Sequence, residues 1–165
     1  MAIGGIAEGV ASNAIWNGIT RSLRLWQMSR ISIVSPGHLQ ILQFAEQAHG
    51  QNYYYVSGKL KHLSPGHKIW LLTELANSRK FWPQGYSSVQ FDPGNGTWIG
   101  KVNPGNGPNN LRIHAVVAPP TTDDFFTYYH KINLLSKKWE PIDRIPPECL
   151  NTASVQPLYP PAIST

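Results

Sequence analysis

The sequence predicts a mainly β protein: a β-sandwich of about seven strands with one inserted helix and an amphipathic helix at the N-terminus. Short apolar or alternating runs, rich in β-branched and aromatic residues, recur about every 8 to 12 residues with Gly and Pro turns between them. Residues 68–102 are written as a β-meander, with Asp92-Pro93-Gly94-Asn95-Gly96 placed where a hairpin must turn through positive φ. Two other stretches, residues 1–29 and 122–136, instead repeat their apolar residues at three- and four-residue steps, the period of a helical face.

In order, residues 1–29 hold Gly, Ala and Ile with few charges and no Pro. Ile3, Ala7, Val10 and Ala14, then Ile15, Ile19, Leu23 and Trp26, mark helical faces, and Gly5 with Gly9 and Ala14 with Gly18 place small residues four apart. Such spacing lets helix backbones approach closely in a bundle or bilayer. Arg21, Arg24 and Arg30 stand at the C-terminal end, where the helix dipole favours cations and lipid phosphates could be met. The segment either packs on the sheet or a second copy, or interacts with a membrane.

Ile31 to Val34 alternates and stops at Ser35-Pro36-Gly37; residues 38–44 continue as a short strand or a helical turn. Tyr53 to Leu60 alternates, with Tyr54, Val56, Gly58 and Leu60 on one face. Ile69-Trp70-Leu71-Leu72 is apolar on both faces, as a central covered strand requires, whereas Trp98, Gly100 and Val102 alternate with Ile99 and Lys101. Leu111, Ile113, Ala115 and Val117 form the inner face of another strand, which Pro119 and Pro120 end. Thr121 or Thr122 can then cap a helix that begins with Asp123 and Asp124, ends with Lys131, Lys137 and Lys138, and carries the apolar stripe Phe125, Tyr128, Tyr129, Ile132 and Leu135. A last strand is expected near Thr152 to Leu158. The organisation is therefore an N-terminal helical segment (1–29), one sandwich domain (30–158) and a flexible tail (159–165).

Composition narrows the function. Lys plus Arg number 14 against 9 Asp plus Glu, but the basic residues are scattered, so a basic surface kept for solubility is preferred over nucleic-acid binding. The single cysteine, Cys149, excludes an intrachain disulfide framework. The N-terminus lacks a basic region ahead of its apolar part, and no apolar run reaches the roughly 18 to 20 residues of a spanning helix. A cytoplasmic protein is expected, or a membrane-associated one.

The chemistry points away from catalysis. The six histidines carry none of the spacings of a metal site, and His114 alternates outward on its strand. Asp123 and Asp124 are adjacent on a helix and diverge by about 100°, so they cannot oppose one another as acid and base. Ser87, Ser88 and Cys149 lie in no nucleophile signature, and no glycine loop precedes a helix as phosphate binding would need. Neither a metal nor a cofactor is expected. Trp70 and Trp98 belong to the core. Phe81, Trp82 and Tyr86, flanking Pro83 and Gly85 beside Lys80, either form an exposed contact surface for a partner chain or a small ligand such as a sugar or cyclic nucleotide, or, in the case of Trp82, tuck beneath the loop and close the sandwich end.

Ile-Ser-Ile-Val-Ser-Pro at 31–36, Tyr-Val-Ser-Gly at 55–58, Ile-Trp-Leu-Leu at 69–72, Trp-Pro-Gln at 82–84 and Gly-Thr-Trp at 96–98 together resemble prokaryotic immunoglobulin-like β-sandwich modules over roughly residues 31 to 158. The inserted and N-terminal helices depart from that family. The resemblance implies a non-catalytic binding or spacer unit. Gly5 to Thr20 is similar to the short amphipathic leaders of bacterial conflict-system effectors. The expected function is a binding or assembly protein whose N-terminal helix, through Gly5, Gly9, Val10, Ile15, Ile19, Leu23 and Trp26, joins it to itself, to another protein or to an anionic membrane. The alternatives are a membrane-disrupting effector of a bacterial defence system gated by a ligand on the sandwich, and a carbohydrate-binding module.

Overall fold

The computed structural model describes residues 30–48, 50–75, 78–85, 89–105 and 111–158. The expected N-terminal helix with its residues Gly5 to Trp26, the expected tail 159–165, and Tyr86 lie outside the described residues. In chain order the elements are β1 (Ser32–Ser35), β2 (Gln43–Ala48), β3 (Gln51–Lys59), β4 (Lys68–Leu75), β5 (Phe81–Pro83), β6 (Gln90–Asp92), β7 (Thr97–Val102), β8 (Leu111–Ala118), α1 (Pro120–Ser136) and β9 (Leu150–Val155). The chain is mainly β, with two antiparallel sheets and one helix among the described residues. One sheet runs β1-β3-β7-β6, with β2 also pairing to β3, and the other runs β5-β4-β8-β9.

The sheets face each other across one core. Val56, Trp98 and Val102 from the first sheet meet Ile69, Leu71, Ile113, Ala115 and Val117 from the second, all almost wholly buried. The two-residue periods read from β3, β7 and β8 put these side chains on one face, and burial follows the alternation. Strand β4 sits inside its sheet, between β5 and β8. Its even-numbered residues Trp70 and Leu72 therefore need a second cover, and they share a smaller core with Val116, Ala118 and Phe126 beneath α1. The β6–β7 hairpin turns where Asp92 to Gly96 predicts: Gly96 has φ of 62°, and the Asp92 carboxylate accepts from the Gly94 amide at 2.8 Å.

Gly58 is needed because β1, β3 and β7 crowd at that point. A Cβ there would lie 1.8 Å from the Ser32 carbonyl oxygen and 2.4 Å from Cζ2 of Trp98.

The helix departs from expectation in three ways. Neither Thr121 nor Thr122 caps it: Pro119 occupies the N-cap with no side-chain hydrogen bond, and Pro120 starts the first turn, where a missing N–H leaves nothing unsatisfied. No basic residue falls in the last turn, because the helix stops at Ser136 and Lys137 adopts the left-handed conformation with φ of 55°. Finally, an amphipathic helix ordinarily turns its apolar stripe to the core, but the residues buried here are Thr122, Asp123, Phe126 and Asn133.

Replacing Gly58 with Ala should drive β1 away from β3 and displace Trp98, destabilising the fold by about 3 kcal/mol or more. Gly50, whose Cβ would meet nothing within 4 Å, has φ of 73°, and Gly50→Ala should cost only about 1 kcal/mol in the same denaturant titration.

Candidate interaction surface

α1 is fixed to the sheet by one large apolar residue and several polar anchors. Phe126 is fully buried, its ring 5.1 Å from that of Trp70. Nε1 of Trp70 donates to Asp123 at 2.8 Å, and Lys68 pairs with the other oxygen of that carboxylate at 2.7 Å. At the far end, the Asn133 side chain accepts the Glu140 amide at 3.3 Å, while the Tyr129 hydroxyl donates to the Glu140 carbonyl; burial pushes that hydroxyl up to about 12. These contacts bring the chain back over the sheet, where Phe81 and Ile142 exchange backbone hydrogen bonds of 2.9 and 2.8 Å.

With that face held down, the apolar stripe points outward. Phe125 is 44% exposed, Tyr128 65%, Ile132 43% and Leu135 73%. They follow one another at steps of three, four and three residues, so they form one continuous row on the helix. Beside Phe125 the surface opens into a groove of about 550 Å³, walled by Thr121 and Phe125 on the helix and by Ile142, Arg144, Pro146 and Pro147 on the returning chain. Val34, Leu39, Ile41 and Phe44 are also exposed, on β1, on β2 and on the stretch that joins them.

The sequence-predicted contact residues lie on β5 and just before it. Lys80 pairs with Asp143, Phe81 is half-buried with its ring against His114, and Nε1 of Trp82 donates to the Trp139 carbonyl at 3.0 Å. The structure thus brings Lys80, Phe81 and Trp82 together with the chain that returns from α1, and the Asp143 carboxylate is held below its ordinary range by Lys80. The exposed row on α1 was visible in sequence as a stripe, but its outward direction was not.

Beneath the returning chain lies one buried ionic cluster. Glu74 and His114 stand on neighbouring strands with Nε2 of His114 2.8 Å from Oε2 of Glu74, and Arg112 approaches the same oxygen at 3.8 Å. An ionised Glu74 can only accept, so Nε2 carries the hydrogen. His114 points away from the inter-sheet core, as its strand alternation predicts, but Phe81 covers it and it is only 9% exposed. Neither residue lines the groove or the smaller cavity of about 250 Å³ between Ile69, Val89, Phe91, Asp123 and His130. In that cavity Asp123 holds Trp70 and Lys68, and Gln84 bonds Thr73, Trp82 and the Asn103 amide. Burial and the neighbouring Glu148 raise the Cys149 thiol to about 11, which keeps it protonated and weakly nucleophilic. Among the described residues no three His, Cys, Asp or Glu side chains gather as a metal site needs, and no helix is long and apolar enough to cross a membrane.

The pH dependence of stability follows from His114. Burial, only partly offset by Glu74, holds its pKa below the ordinary value of 6.5. The unfolded chain therefore takes up a proton first as pH falls, and the stability present above the ordinary value is lost on going down through that range. Denaturant midpoints measured from about pH 8 to about pH 5 should fall, and His114→Gln should flatten the slope. A residual slope should remain from His130, which burial shifts in the same direction. No protein-family model, no curated protein and no solved structure matches this chain.

Proposed function

We infer that this protein is a non-catalytic binding and assembly module, in which an immunoglobulin-like sandwich acts as scaffold and the outward face of α1 makes the contact. One observation carries the reading: four large apolar side chains stand in a single exposed row on a helix whose opposite face is firmly anchored. Isolated exposed apolar residues are ordinary on soluble proteins, whereas a contiguous row beside a groove is the form of an interaction site. Covering each such side chain contributes roughly 1.5 to 3 kcal/mol, enough in sum to drive association. Residues 1–29, with the stripe Ile15, Ile19, Leu23 and Trp26, supply a second contact to another copy or to an anionic membrane.

The test is Ile132→Lys with Leu135→Lys in the full chain, followed by sedimentation over a range of concentrations and by flotation with anionic liposomes. Association by either measure should be lost, while stability changes by less than about 1 kcal/mol because both residues are already exposed. A loss of several kcal/mol, or unchanged sedimentation and flotation, defeats the reading.

A further inference from the structure

We propose that the cavity of about 250 Å³ between α1 and the start of β4 binds one neutral pyranose ring, as a free monosaccharide or as the end unit of a glycan. Its lining includes none of the four residues of the outward row on α1, so it is a second site and does not rest on the reading of that row.

The cavity has a cause in the fold. β4 is eight residues long, but β5 pairs only with Leu72, Thr73 and Glu74 of it. The Gln84 amide donates once more to that edge, to the Leu71 carbonyl at 2.8 Å. Lys68, Ile69 and Trp70 run on beyond β5 and form one wall of the cavity. α1 supplies another, because Asp123, Thr127 and His130 follow at steps of four and three residues and so lie along one flank of the helix. Leu63, Val89 and Phe91 add apolar lining.

Charge selects the class of occupant. Lys68 and Asp123, the lysine and the carboxylate of the lining, pair at 2.7 Å and cancel. Burial holds His130 below its ordinary value, which keeps that ring neutral at pH 7. An anion drawn to Lys68 meets the Asp123 carboxylate beside it, and a cation drawn to Asp123 meets the Lys68 ammonium. A neutral molecule avoids both repulsions.

The lining also requires an occupant with apolar and polar surface together. Each oxygen of Asp123 accepts one bond, from Trp70 or from Lys68, and keeps a further lone pair; the Lys68 ammonium has hydrogens beyond the one it gives Asp123. Nδ1 of His67 lies 3.2 Å from the Pro65 carbonyl and carries the hydrogen there, so Nε2 of the neutral ring accepts. A sugar hydroxyl both donates and accepts and can serve all three groups, while the C–H faces of the ring suit Ile69, Phe91 and the Trp70 ring. A wholly apolar ligand would take water from Asp123 and Lys68 and return no hydrogen bond. Size limits the occupant to one ring, because drug-sized molecules need roughly 300 to 1,000 Å³. A cyclic nucleotide fails on both size and charge.

The experiment uses the full chain in ligand-observed saturation-transfer NMR against the methyl glycosides of glucose, galactose, mannose and N-acetylglucosamine. At least one should bind, with Kd on the order of 1 mM for so small a ligand. The amino-sugar and uronate counterparts of the best binder should each bind about fivefold or more weakly. Thr127→Trp, which adds bulk from an exposed helical position, should abolish binding, and Lys68→Met should weaken it about tenfold, both with nearly unchanged denaturant midpoints. Lys68→Met leaves Asp123 without its cation, so this variant should take the amino sugar at least as well as the neutral one, a reversal that a merely structural lysine would not produce. An oligosaccharide ending in the same sugar that binds tenfold or more tightly marks a glycan end as the source, and equal or weaker binding marks the free sugar; either supports the site. No binding by any of the four glycosides at about 20 mM, preference of the wild type for a charged counterpart, or binding unaffected by Thr127→Trp overturns the proposal.

Discussion

The sheet β5-β4-β8-β9 is apolar on both faces, and the rest of the molecule is arranged to cover it twice. Ile69, Leu71, Ile113, Ala115 and Val117 face one way, and Leu72, Val116 and Ala118 the other. Neither set can be left in water without forfeiting the burial that stabilises a domain of this size. The first sheet covers one side. The second side is reached by the shortest available route: β8 ends at Ala118, Pro119 turns, and α1 begins at Pro120. The Pro119 carbonyl accepts from the Thr122 and Asp123 amides at 3.0 and 2.9 Å, so the first turn closes without a side-chain cap.

Much of this was legible in the sequence because alternation is a local signal. The pattern in β3 and β7 separated Val56 and Trp98 from their less buried neighbours, and the doubly apolar Ile69 to Leu72 marked an internal strand before any partner was known. The orientation of α1 was not legible. Its largest apolar row is the outward one, while the buried face consists of Phe126 set among Thr122, Asp123 and Asn133. Helical periodicity ranks faces by apolar content, and here polar groups with partners on the sheet outweigh it. A signal did exist: a tryptophan at position 70, on the side of the strand away from the main core, needs an acceptor for its N–H, and Asp123 follows the strand that pairs with it.

The surroundings of β5 show the same limit of local pattern. Phe81 and Trp82 read as a platform because nothing near them in sequence covers them. Trp139, which pairs with Trp82, Ile142, which pairs with Phe81, and Asp143, which pairs with the adjacent Lys80, come roughly sixty residues later, after β6, β7, β8 and α1. The Glu74 and His114 pair is similar, for only the β4–β8 register, with Leu72 opposite His114 and Glu74 opposite Arg112, brings the three side chains to one place. The cover on this side of the sheet is thus partly polar, in contrast to the hydrophobic residues clustered between the sheets.

That polar character determines what α1 can do with its outward row. A helix held only by apolar contacts could roll to exchange one face for another at little cost, since such contacts are nondirectional. Here a roll of about 100° would carry Phe125 and Ile132 toward the sheet, but it would take Asp123 from Trp70 and Lys68 and Asn133 from the Glu140 amide. The Trp70 N–H would lose its acceptor in a part-buried place, at about 1 to 3 kcal/mol, whereas the Lys68 pair, exposed on the lysine side, adds little. The roll would also withdraw the fully buried Phe126, so the apolar burial gained by Phe125 or Ile132 is offset by the burial lost, and the polar losses remain. The anchors therefore fix the rotation of the helix, and the row is presented to solvent as a rigid, pre-organised surface rather than as a face waiting to fold inward. Pre-organisation of this kind lowers the entropy that a partner must overcome on docking.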